Sequence, residues 1–277
     1  MMIPQGPLVD VAWLAEHRDE VIVLDASAMD HAGADTGIPG ARRFDLDGPL
    51  SDPDSDLPHT MPSADLLAQR LGELGIGDDA VTVSYDRAGM FSSPRAWWML
   101  RAAGVGTPYV LDGGLPAWLS AGHPEGPLDP APAPVPAPRV VLDPRAFIDA
   151  HEVARRLAED GSAVVDVRGA ERFAGTAPEP RPGLRGGHMP GAVNVPFAEL
   201  APGGRLLDPE QLDARLRGST GAAGLVAFSC GSGLTACVGA LAAVAAGWQD
   251  VTVYDGSWSE WGRRDSDPPA RPVVTGP

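Results

Sequence analysis

Cys230 is the residue of this chain whose type and setting suit covalent chemistry. An apolar strand, LVAFS, runs into the turn CGSGLTA, which runs into the small-residue helix ACVGALAAVAAG. Gly231 and Gly233 let the backbone wrap, so the N–H groups of Gly231, Ser232, Gly233, Leu234 and Thr235 converge above the sulfur. The helix N-terminus adds partial positive charge at the same point. Both effects favour thiolate over thiol, and the thiolate is the nucleophile. The same cradle suits a persulfide or a substrate anion. A lone cysteine is more often a packing residue; the coincidence of strand, glycines and helix argues for the nucleophile. Cys237 lies inside the helical sequence and reads as core, and its spacing from Cys230 is not that of a Cys-x-x-Cys redox pair.

The elements that position this loop occur twice. VIVLDAS (from Val21) is answered by AVVDVRG (from Ala163), and GIPGARRFDLD (from Gly37) by HMPGAVNVPFAEL (from His188). VTVSYDRAGMFSS (from Val81) is answered by LVAFSCGSGLTAC (from Leu225), and PYVLDGGLPAW (from Pro108) by VTVYDGSWSEW (from Val251). Asp25 thus corresponds to Asp166, Asp86 to Cys230 and Trp118 to Trp261 at a near-constant offset, which marks a duplication. In each half short apolar strands alternate with helical stretches such as Ser63–Leu74 and Asp208–Gly218, where Asp208 and Pro209 supply an N-cap and first turn. That alternation predicts an α/β fold with two tandem domains, each an open parallel sheet flanked by helices. Ligands of such sheets sit beyond the carboxyl ends of the strands, where Cys230 falls. The Pro/Ala-rich run after His123 can hold neither a helix nor a central strand and reads as an extended connector. The expected organisation is a first domain over 1–125, a linker over 126–139 and a second domain over 140–277.

Bulk properties narrow the chemistry. The chain has 277 residues, 44% of them hydrophobic and 21% charged, enough for a real core. A net charge of −16 repels phosphate backbones, so nucleic acid is excluded as a first reading. The sequence contains no lysine, which removes Schiff-base chemistry and the P-loop lysine. No apolar run is long enough to span a bilayer, and the opening residues lack a basic start followed by an apolar block. With two cysteines in one segment and no disulfide framework, the cytoplasm is the simplest compartment. The DPDSD run near Asp52 lacks calcium-loop spacing, and neither metal nor organic cofactor is expected. Trp97, Trp98, Trp258 and Trp261 are read as packing residues.

These motifs resemble the tandem rhodanese family, in which the second repeat carries the cysteine and the first has an acidic residue in its place; Asp86 is that substitution. The CGSGLT loop is similar to that of the 3-mercaptopyruvate sulfurtransferase branch. It differs from the thiosulfate branch, where basic residues follow the cysteine. DVRGAERFAGTAPEPRPG (from Asp166) resembles the family's substrate-binding segment. The resemblance implies that Arg172 first, and Arg181 second, grip the carboxylate and keto oxygen of the donor, with Arg168 structural. Planar guanidinium suits a carboxylate through paired hydrogen bonds. One position departs: the family carries a His before Ile-Pro-Gly-Ala in the first repeat, proposed to relay a proton with the loop serine, and here it is Gly37. His31 is a candidate substitute, against the default of an exposed loop histidine. His188 is read as structural.

The reaction implied is transfer of sulfane sulfur from 3-mercaptopyruvate, through a Cys230 persulfide, to a thiol acceptor such as thioredoxin or to cyanide, with Ser232 assisting proton delivery. A thiosulfate:cyanide sulfurtransferase is the first alternative. A cysteine phosphatase is disfavoured because the position of its phosphate-binding Arg is occupied by Ala236. A non-enzymatic persulfide carrier or binding module is the remaining alternative, and Asp86 already assigns the first repeat a non-catalytic part.

Overall fold

The computed structural model describes residues 4, 6–130, 132–265 and 269–277. Residues 1–3 and 5, part of the start read above as no signal peptide, and Ala131 of the Pro/Ala run lie outside it.

Two compact units form. The first comprises residues up to 54, 61–143 and 203–206; the second comprises 55–60, 144–202 and 207–277. In the first, strands β1 (Leu8–Val9), β2 (Ile22–Asp25), β4 (Arg42–Arg43), β5 (Val81–Tyr85) and β6 (Thr107–Leu111) pair in parallel in the order β1-β6-β5-β2-β4. A separate antiparallel pair joins β3 (Thr36–Gly37) to β7 (Gly126–Pro127). The second unit holds β8 (Phe147–Ile148), β9 (Ser162–Asp166), β10 (Val193–Asn194), β11 (Leu225–Ser229) and β12 (Val251–Tyr254), parallel in the order β10-β9-β11-β12-β8. Matched strand for strand, the two orders are the same, so the sequence duplication is also a topological one. Both central strands are apolar and buried, as parallel strands covered on two faces must be.

Local chemistry sets the helix ends. Ser63 accepts the N–H of Leu66 to start the helix Ala64–Glu73. Asp208 and Gln211 form a reciprocal capping box ahead of the helix Pro209–Thr220. The helix Ala236–Ala245 is made of small residues because it lies directly on β11. A Cβ on Gly239 would fall 2.3 Å from the Phe228 ring. The Pro/Ala run from 132 contains no helix or strand, and within the first unit Val135 N–H bonds to the Gly72 carbonyl. Among the described residues no helix is long and apolar enough to cross a membrane.

Candidate active site

Register brings the chemistry together at one sheet edge. Ser229, the last residue of β11, pairs with Asp166, the last of β9, so Cys230 leaves the sheet beside the start of the Arg168–Arg181 segment. Cys230 is buried, at 1% exposure. Three residues of the next turn hold its backbone. Ser257 Oγ accepts the Cys230 N–H (3.1 Å) and donates to the Tyr254 carbonyl (2.8 Å). Trp258 N–H donates to the Cys230 carbonyl, while the N–H and Oγ of Ser259 both donate to the Gly231 carbonyl. Ser257 adopts φ +48 while fully buried, a conformation that costs a non-glycine residue free energy and is kept where the surroundings impose it. The sequence singled out neither Ser257 nor Ser259; only the Trp between them drew notice, and Trp258 is a packing residue, donating to the Arg185 carbonyl.

The two loop glycines serve different needs. Gly233 has φ +79, the left-handed region expected of a wrapping turn. Gly231 has no such φ; a Cβ there would lie 3.1 Å from Arg172 Nη2 and 3.9 Å from Arg181 Nη1. Glycine at 231 therefore admits two guanidinium groups beside the nucleophile loop. The N–H groups of residues 231–235 have no backbone or side-chain acceptor among the described residues. Leu234 and Thr235 are buried behind them, and the Cys237 thiol donates to the Gly233 carbonyl from within the core.

The two arginines differ in their bonding. Arg172, on the short helix Ala170–Phe173, is ion-paired with Glu179 (2.6 Å). Arg181 is half-buried and makes no hydrogen bond or ion pair among the described residues, leaving its fork free for an anion. It lines a cavity of about 380 Å³ with Ser259, Leu57, Arg263 and Arg264. Arg168 is fully buried on the Asp166 carboxylate, and its guanidinium lies 4.1 Å from the Trp258 ring. Burial pulls its pKa down, but Asp166 and Glu179 more than reverse this and hold it above the usual value.

Ser232 has a histidine partner that the motif comparison did not supply. His59 Nδ1 lies 2.9 Å from Ser232 Oγ, across 173 residues of sequence. His59 is buried, has φ +63, and sits on the 55–60 segment that packs in the second unit. The two positions considered in the first repeat are each described within the first unit. Gly37 cannot carry a side chain, because a Cβ would meet the Tyr85 hydroxyl at 2.1 Å. His31 is exposed, its ring edge-on to Phe91. His188 is locked in place, stacked on Phe173 at 3.7 Å with Nδ1 donating to the Phe173 carbonyl. The only sequence cue to His59 is its place between two prolines in LPHTMP, at the end of an acidic loop.

The equivalent loop of the first unit is closed by its own side chain. Asp86 Oδ1 accepts the Ala88 N–H, and Oδ2 accepts the N–H groups of Phe91, Ser92 and Ser93 and the Ser93 hydroxyl, all within 3.0 Å. A carboxylate thus occupies the anion cradle that the cysteine loop keeps open. That loop contains no cysteine.

Comparison with known proteins places the chain in a family. The family described as Rhodanese-like domain matches residues 10–121 and 149–264. The chain is 39% identical to the 3-mercaptopyruvate sulfurtransferase of Escherichia coli (strain K12), over 96% of this chain and 98% of the relative. It is 43% identical to the Homo sapiens protein of the same name, over 92% and 91%. The crystal structure of the 3-mercaptopyruvate sulfotransferase SseA from Escherichia coli superposes with a TM-score of 0.78 at 35% identity, covering 92% of this chain and all of that one.

Proposed function

The chain belongs to the rhodanese family, and from that premise we propose that it transfers the thiol sulfur of 3-mercaptopyruvate to a thiol acceptor, by way of sulfane sulfur in a persulfide on Cys230. The observation that carries the reading is the pairing of an open N–H cradle at Cys230 with two guanidinium groups at Gly231, one of them unpaired. The curated relatives bearing the name of this activity, aligned over nearly their whole length, support it.

In the mechanism, Arg172 and Arg181 hold the donor's carboxylate and keto oxygen so that its sulfur lies against Cys230. The thiolate attacks that sulfur. A new S–S bond forms as the C–S bond breaks, and the electron pair leaves on carbon as the enolate of pyruvate. The proton of the donor thiol must reach that carbon, and the Ser232–His59 pair supplies a path for it. The persulfide that remains is stabilised by the N–H groups of residues 231–235. A thiolate acceptor then takes the outer sulfur and returns Cys230 to its starting state, which gives ping-pong kinetics. The donor set at the site is guanidinium, hydroxyl, imidazole and thiol; neither metal nor organic cofactor enters the scheme. The acceptor we favour is a dithiol protein such as thioredoxin. The compartment we favour is the cytoplasm, because two cysteines seven residues apart in one segment give no disulfide framework. The first domain, with Asp86 in its cradle, has no sulfur-carrying part.

The test is sulfur transfer to a thiol from 3-mercaptopyruvate and from thiosulfate, side by side, with Cys230→Ser as control. Preference for 3-mercaptopyruvate, abolished by the substitution, is the expected result. Preference for thiosulfate would keep the nucleophile and overturn the donor. A persulfide that forms chemically but turns over with neither donor would replace the enzyme with a sulfur carrier.

A further inference from the structure

Glu179 is a nearly buried carboxylate, its side chain 2% exposed, that the scheme above does not use. Its Oε1 accepts Arg168 Nη1 (2.8 Å) and Arg172 Nε (3.2 Å); its Oε2 accepts Arg172 Nη2 (2.6 Å). Arg168 is itself immobile. Nε and Nη2 lie on the Asp166 carboxylate, Nη2 also reaches the Gly187 carbonyl (2.8 Å), and the plane stacks on Trp258. A rigid line of alternating charge therefore runs from the end of β9 through Asp166, Arg168 and Glu179 to Arg172. Arg172 needs such support. It projects from a four-residue helix, its side chain is 29% exposed, and long side chains lose conformational freedom when a ligand orders them.

Resting on the reading of function above, we propose that Glu179 is a positioning residue for the donor. It clamps the Nε–Nη2 edge of Arg172 against the Gly231 loop and turns the remaining Nη1 toward the donor's anionic end. The carboxylate also works against anion binding, since it lies beside the guanidinium that must attract the donor. The two effects have opposite signs in KM, and this makes the proposal decidable. Loss of positioning raises KM; loss of a neighbouring negative charge lowers it.

The experiment measures KM and kcat for 3-mercaptopyruvate in wild type, Glu179→Gln and Glu179→Asp, each also in an Arg172→Ala background, with melting temperature recorded alongside. Wild-type turnover is established first, so its absence counts against the proposed function and not against Glu179. Glu179→Gln removes the charge at constant shape; Glu179→Asp keeps the charge and shortens the reach. Positioning predicts that both variants raise KM by roughly two- to tenfold, the cost of ordering one long side chain. It also predicts that the rise disappears once Arg172 is gone. Discharge of a chemically loaded Cys230 persulfide to a thiol should keep its wild-type rate, because that step does not engage the donor. An unchanged or lowered KM in Glu179→Gln, or a KM rise that persists without Arg172, overturns the proposal. A lower melting temperature with wild-type KM assigns Glu179 to stability alone and overturns it equally. If Glu179→Gln does not fold, the Glu179→Asp pair of measurements decides by the same criteria.

Discussion

In the proposed scheme Ser232 and His59 act on the same proton path, so removing either should cost about as much as removing both. Ser232→Ala and His59→Ala are each expected to lower kcat on the order of a hundredfold, the usual scale for a lost acid–base group, with the double variant little worse. Single-turnover release of pyruvate is the measurement, and additive losses would separate the two residues. At this scale the candidate nucleophile was legible as a strand-to-helix turn because its evidence is local: strand, glycines and helix lie within a few positions of Cys230. His59 was not legible. Its partner lies 173 residues away, nothing in its immediate neighbours marks a site, and the family motif expected to carry the histidine has Gly37 at that position. The Tyr85 hydroxyl, which receives the Ile38 N–H, fills the space a side chain at 37 would need. Arg172 and Arg181 were legible only through family resemblance, since neither charge nor spacing distinguishes them from solvated arginines.

The repeated loop is the element on which stability and function separate. Asp86 accepts four backbone N–H groups, and Asp86→Ala leaves them without an acceptor in a buried turn. A loss of about 2–4 kcal/mol is expected in urea unfolding, with the Cys230 reaction retained in the folded fraction. The helix Ala150–Leu157 offers a smaller, pH-dependent case. The hydrogen bond from Arg155 pushes the Glu152 carboxyl down to about 2, assisted by Arg156. A depressed carboxyl stabilises the fold above its ordinary value near 4.5, and this contribution fades as pH falls from there toward 2. Glu152→Gln should cost under about 1 kcal/mol at pH 7, because the pair is largely solvated, and its melting difference from wild type should shrink below pH 4.5. Strand and helix periodicity exposed the long elements to sequence reading. The two-residue strands β1, β3, β4, β7, β8 and β10 are too short to carry a period, and the pairing of β3 with β7 depends on contacts formed only after folding.

Across the whole molecule, an acidic chain with a net charge of −16 repels the anionic donor proposed for it, so attraction must be local. Guanidinium groups beside Gly231 supply it at contact distance, where salt screens least. The two halves share a strand order and differ at the centre of one turn, Asp86 against Cys230. One half carries its anion as a carboxylate side chain; in the proposed scheme the other lengthens its anion by one sulfur, from thiolate to persulfide. In that scheme, charging Cys230 with sulfur is also a binding event in the thermodynamic sense, which places the outer sulfur among N–H groups of residues 231–235 that have no protein acceptor among the described residues. Protein treated with 3-mercaptopyruvate should melt higher than the same protein discharged by a thiol, with Cys230→Ser showing no difference between the two treatments. Equal melting temperatures for the charged and discharged wild type would mean the cradle contributes nothing to holding the sulfur. If the difference is found, the enzyme's heat resistance is a gauge of its sulfur supply: starved of donor, it rests in its more fragile form.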